Sequence, residues 1–148
     1  PTTALDVTIQ AQILYEVRKL CRESGTALVW ITQDLAVLAG LADRIAVMYA
    51  GRIVESGSVA DVLERPMHPY TRALIESVPC HNRRGERLAQ IPGMTPSLTA
   101  VPAGCAFRPR CPRATKLCAT EIAQTEPLPG RTLRCVNPIV HETTDAPA

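Results

Sequence analysis

Four cysteines near the carboxyl end are the residues best equipped for chemistry in this chain of 148 residues: Cys105, Cys111, Cys118 and Cys135. Five, six and sixteen residues separate them in turn. Thiolates select soft metals and metal–sulfur clusters. This spacing is neither the paired C-x-x-C of a ribbon-type zinc site nor the common bacterial ferredoxin run. In a reducing compartment disulfides are not their purpose. Between Cys105 and Cys135, the six cations Arg108, Arg110, Arg113, Lys116, Arg131 and Arg134 face only Glu121 and Glu126. Zinc or a 4Fe–4S core, each held by four thiolates, keeps a net charge of about −2. The basic surplus balances either and does not choose between them. Cys21 and Cys80 fall outside the set; Cys21 lies on the apolar face of a helical pattern and reads as core filler. His68, before Pro69, reads as structural rather than as a metal ligand, and His141 as solvated. The other polar group at a telling position is Gln33, followed by Asp34, at the end of an apolar run.

The elements that must position these groups follow from periodicity. Ile9, Ile13, Leu14, Val17, Leu20 and Cys21 form one stripe of a helix over Val7–Ser24, with Asp6 as N-cap and Gly25 as stop. Ala27–Thr32 is a β-rich apolar run, expected to be a strand buried on both faces. Leu35, Leu38, Ala39 and Ala42 mark a short helix. Ile45–Tyr49 and Arg52–Glu55 read as strands joined by a turn at Ala50-Gly51. Ser58, with Asp61 three residues on, resembles a capping box for a helix over Val59–Arg65 that Pro66 ends. A turn at His68-Pro69 leads to a short helix, Tyr70–Ser77. From Cys80 to Pro102, prolines and glycines without periodicity predict an extended arm. The chain after Cys135 reads as a frayed terminus. In an open α/β sheet, ligands bind beyond the carboxyl ends of strands, which makes Gln33 a candidate site residue.

Composition excludes several classes. A net charge of +2 and an aromatic content of 3% argue against a nucleic-acid or anionic-membrane surface. No apolar run approaches the ~18 residues of a spanning helix.

Several motifs carry a resemblance. ADRIAVMYAGRIVESG, residues 42–57, resembles the last part of the ATP-binding cassette of an ABC transporter, and PTTALD at the start is similar to that family's D-loop. HPYTRAL, residues 68–74, resembles the segment that follows the cassette in oligopeptide and dipeptide importers and in related nickel importers. Cys105, Phe107, Arg110, Cys111, Pro112, Ala114, Cys118 and Cys135 match the cysteine pattern of the peptide importers' carboxyl-terminal extension.

The resemblance implies an α/β fold: the carboxyl-terminal part of a P-loop ABC nucleotide-binding domain over residues 1–65, an irregular Cys-rich extension over 66–137, and a disordered tail over 138–148. It also implies an ATP-hydrolysing importer subunit for di- or oligopeptides at the cytoplasmic face of a bacterial membrane. Its partners would be a second cassette, two membrane permease subunits and, indirectly, an extracytoplasmic solute-binding protein. ATP and Mg²⁺ would bind chiefly through the phosphate loop, the signature motif and the catalytic Glu, none of which this sequence contains. The chain is therefore expected to be the carboxyl-terminal part of a longer protein, inactive alone. Asp6 would reach across the cassette dimer. Gln33 occupies the catalytic switch-histidine position. An amide still donates a hydrogen bond but carries no charge; losing a charge-assisted bond costs ~1.5–3 kcal/mol, roughly 10–100-fold in rate. By the same resemblance Cys105, Cys111, Cys118 and Cys135 would hold a 4Fe–4S cluster, with zinc as the alternative. The competing reading is a non-catalytic metal-binding module that uses the cysteine tail to dock a partner.

Overall fold

The computed structural model describes residues 6–78 and 89–141. Most of the D-loop match and Cys80 lie outside them. The chain divides into two compact units, Pro1–Ala42 and Asp43–Ala148, whereas the sequence reading sets its first boundary at residue 65.

In the first unit, helix α1 spans Val7–Ser24. The Asp6 carboxylate accepts from the Thr8 and Ile9 amides at 2.8 and 3.3 Å, satisfying two donors that a helix start leaves open. Gly25 closes the helix in the left-handed conformation at φ +64°, its N–H returning to the Cys21 carbonyl. Helix α2, Leu35–Leu41, is capped by Asp34, which accepts from Ala36 and Val37 amides at 3.0 and 3.4 Å. The Arg18 guanidinium donates to the Gly40 carbonyl and ties the two helices.

The strand expected over Ala27–Thr32 does not form. That stretch has no ladder partner among the described residues, and Val29 and Ile31 are 88% and 89% exposed. An apolar β-branched run states a preference that only flanking strands can satisfy, and the described residues of the first unit supply none. The stripe on α1 is only partly covered: Ile9 and Leu20 are exposed, and Ile13, Leu14, Val17 and Cys21 are half-buried. Among the described residues, every buried one lies beyond residue 42.

The second unit holds the core. Strands β1 (Arg44–Tyr49) and β2 (Arg52–Ser58) form an antiparallel hairpin. Its turn residues Ala50 and Gly51 both have positive φ, +46° and +79°, which matches the right-handed twist of the strands. Ile45, Val47 and Tyr49 alternate inward. Helix α3, Val59–Glu64, starts at Ser58, whose hydroxyl accepts from the Asp61 amide and donates to the Asp61 carboxylate at 2.6 Å. Helix α4, Pro69–Glu76, follows.

The Cys-rich extension is not wholly irregular. Thr125–Leu128 (β3) and Arg131–Leu133 (β4) complete a four-stranded antiparallel sheet of order β1-β2-β4-β3, with Glu55 opposite Leu133 and Ser56 opposite Thr132. Residues 89–102 carry no helix or strand, as expected of an arm. Arg110 ties the described part of the arm to the sheet: it donates to the Pro92 and Ile91 carbonyls at 2.7 and 3.1 Å and to the Tyr49 hydroxyl at 3.2 Å.

Residues 136–141 are anchored at Ile139 and His141 rather than frayed. Ile139 is buried and its amide donates to the Met67 carbonyl at 2.9 Å. His141, expected in solvent, is part-buried, with Nε2 2.9 Å from the Pro66 carbonyl. Residues 142–148 lie outside the described set.

Candidate functional site

The site is built outward from a buried carboxylate. Glu55, on β2, is fully buried. It accepts from the Met67 amide at 2.8 Å, the His68 amide at 2.9 Å and the Arg131 guanidinium at 2.7 Å. Arg131 also donates to the Arg65 carbonyl. One ion pair therefore joins β2, β4 and the turn before α4; the carboxylate has three donors, while the Arg131 Nε is buried without a partner.

Those contacts fix His68. Its Nδ1 accepts from the Tyr70 amide at 3.0 Å and so caps α4. Burial lowers its pKa to about 4 against the raising effect of Glu55, so the ring is neutral near pH 7. With Nδ1 accepting, the remaining proton is on Nε2. That atom is buried and has no hydrogen-bond partner.

Aromatic rings fill the space beside it. The Phe107 ring centroid lies 5.3 Å from Tyr49, 5.3 Å from Tyr70 and 6.2 Å from His68. These edge-on and tilted contacts join β1, α4 and the first cysteine loop around the single phenylalanine of the chain.

The four cysteines come together next to this cluster. Gly104, at φ +75°, lets the loop bearing Cys105 approach the backbone of residues 118–120; a Cβ there would lie 2.3 Å from the Cys118 carbonyl. The Cys105 amide donates to that same carbonyl at 2.9 Å. Cys118 sits in the 3₁₀ turn Lys116–Ala119, its sulfur 3.4 Å from the Thr115 amide. Cys105, Cys111, Cys118 and Cys135 line one cavity of about 10 Å³, and His68 lines it too. Burial, more than mutual repulsion, pushes the thiols of Cys105, Cys111 and Cys135 up, the last to about 11. Near neutral pH these three are protonated and do not repel.

As they stand, no group of three or more His, Cys, Asp or Glu among the described residues is arranged to hold a metal ion. The four cysteines expected as ligands share one cavity, but their thiols are not drawn together into a ligand shell. The arginines read as charge balance act mainly on carbonyls: Arg113 donates to Asn137 and Pro138 at 3.4 and 3.1 Å, and Arg134 to Ile122 at 3.2 Å.

The other candidates are in the first unit. Asp6 is exposed and engaged as a cap. Gln33 is exposed in the bend leading into α2. Sequence reasoning missed Glu55 as anchor, Arg131 as its partner and the second nitrogen of His68. The Pro129-Gly130 turn signal between Thr125–Leu128 and Arg131–Leu133 could have revealed the hairpin that brings Arg131 in.

The geometry joins β2, the HPY turn and the cysteine loops in one compact body. Residues 54–118 match the family model described as the oligopeptide/dipeptide transporter C-terminal region. Over those residues the chain is similar to that C-terminal region, and over a longer stretch it is similar to ATP-binding proteins of peptide transport. It is 47% identical over 139 residues to the Escherichia coli oligopeptide transport ATP-binding protein OppD, covering 94% of this chain and 41% of that protein. It is 54% identical over 124 residues to a Brucella ovis peptide import ATP-binding protein, covering 80% and 37%. For the Bacillus subtilis oligopeptide transport ATP-binding protein AppD the identity is 44% over 136 residues, covering 91% and 42%. The chain spans about two fifths of the length of these relatives. Among the described residues no helix is long and apolar enough to cross a membrane.

Proposed function

We propose that this chain is part of the ATP-hydrolysing subunit of an ABC importer that drives uptake of di- or oligopeptides. The observation that carries this reading is the 47% identity to an oligopeptide transport ATP-binding protein over 94% of the chain. The intact subunit binds ATP and Mg²⁺, pairs with a second cassette, and works against two permease subunits at the cytoplasmic face of the membrane; a solute-binding protein on the far side delivers cargo. Asp6 contacts the partner cassette. Gln33 takes the place of the switch histidine, and its neutral amide makes the site that contains it slow. In the complete protein paired with its partner, Gln33→His is expected to raise single-site ATP hydrolysis roughly 10–100-fold. An unchanged rate with nucleotide bound refutes the role of Gln33; failure of the complete protein to bind ATP refutes the whole reading.

We further propose that Cys105, Cys111, Cys118 and Cys135 hold a 4Fe–4S cluster. Their fit rests on donor chemistry: four soft donors face one cavity, beside a buried nitrogen donor without a partner. When bound, the cluster supplies a four-point tie across a segment with little apolar core of its own. The chain's residues do the rest. Gly104 allows the close approach of the Cys105 and Cys118 loops, and the Glu55–Arg131 pair holds β4, beside Cys135, against β2.

A further inference from the structure

His68 presents two nitrogens with different duties. Nδ1 caps α4 by accepting from the Tyr70 amide at 3.0 Å. That duty alone does not call for histidine, because Asn, Asp, Ser or Thr caps as well or better. Histidine adds a second polar atom, Nε2, on a residue 1% exposed, and leaves it unpaired. Buried donors are rarely left so, and each one calls for an explanation. The amide contact assigns the proton to Nε2, so the orphan is an N–H donor rather than an acceptor. The same side chain lines the cavity of Cys105, Cys111, Cys118 and Cys135. Protonated thiols are weak acceptors, whereas metal-bound thiolates and sulfides accept strongly, and hydrogen bonds to such sulfurs tune both affinity and potential.

We propose that His68 is a positioning residue for the thiolate centre: its Nε2–H donates a hydrogen bond to a sulfur of the loaded site. This rests on the metal reading above. His68 is not a ligand, since its lone pair is engaged at Nδ1. The Glu55 carboxylate holds the His68 amide at 2.9 Å and Phe107 flanks the ring, so the donor is held by groups that do not themselves bind metal.

The test uses the full chain purified without oxygen, as wild type, His68→Asn and His68→Gln. Asn keeps the cap and, on a shorter side chain, withdraws the N–H from the Nε2 position; Gln carries an N–H farther along the side chain. Iron, sulfide and zinc per chain are measured first, then the rate of metal release to a chelator and, for an iron–sulfur form, the midpoint potential. The expected result is equal loading in all three, release about tenfold faster from His68→Asn, a potential lower by about 59 mV, the equivalent of tenfold for one electron, and partial recovery in His68→Gln. A loaded His68→Asn with wild-type release and potential overturns the inference and leaves the metal reading standing. A wild type without iron or zinc overturns both. If His68→Asn does not fold, histidine-selective isotope labelling of the wild type decides. A protonated Nε2 whose signal shifts on metal loading supports the inference, and a proton on Nδ1 or an Nε2 signal unmoved by loading overturns it.

Discussion

Glu55→Gln removes one charge from the pair on which the second unit is assembled. The carboxylate is wholly buried and the Arg131 side chain is 4% exposed, so solvent does not soften the loss. Gln offers one acceptor oxygen where three donors converge: two backbone amides and a guanidinium. Its amide nitrogen must then face one of those donors. Leaving a buried cation uncompensated costs ~3–5 kcal/mol, a large part of the ~5–15 kcal/mol that holds a domain together. Arg131→Met alone leaves the carboxylate buried with only its two amide donors. The double variant Glu55→Gln, Arg131→Met removes both charges, so its cost should fall short of the sum of the singles by ~1–3 kcal/mol. Denaturant unfolding of the chain, followed by near-ultraviolet circular dichroism, reads the second unit through the Tyr49–Tyr70–Phe107 contacts; Trp30 belongs to the first unit. A Glu55→Gln cost below ~1 kcal/mol, or additive singles, would refute the view of this pair as the anchor.

Three further outcomes follow from the same contacts. Phe107→Ala empties the junction of β1, α4 and the cysteine loop and should cost ~3–5 kcal/mol in the same unfolding assay. Gly104→Ala meets both a left-handed φ and a backbone clash at 2.3 Å; it should cost at least ~1–2 kcal/mol and lower metal loading, whereas Gly51→Ala, with open space around its Cβ position, should leave loading unchanged. The Cys135 thiol, raised by burial from 9.0 to about 11, binds its proton more tightly folded than unfolded. Metal-free stability should therefore fall as pH rises from 9.0 through about 11, and Cys135→Ser should flatten that slope in unfolding curves taken across the range.

Local signals in the sequence specified the local structure. Asp6 and Gly25 bracket α1 where capping chemistry puts them, and Ala50-Gly51 turns the hairpin. Ser58 and Asp61 close on each other as read. What failed depends on neighbours. Ala27–Thr32 has the composition of a central strand, yet strand pairing is a property of two segments, and none of the described strands pairs with it. His141 and Ile139 look like tail residues until Pro66 and Met67 supply their partners across more than 70 positions. The cysteines were legible as a set from type and order, but the groups that hold them were not. Glu55 reads as the polar end of a strand. Its burial depends on Arg131, 76 positions away, and no periodicity connects the two.

The central claim is that the four thiols are ligands of one centre, and the most direct measurement is metal and labile sulfide per chain after anaerobic purification, alongside a count of free thiols. The account predicts iron and sulfide in the equal amounts of a 4Fe–4S cluster, with Cys105, Cys111, Cys118 and Cys135 protected from alkylation until a chelator is added. A folded chain free of iron and zinc, with all four of those thiols open to alkylation, would contradict it.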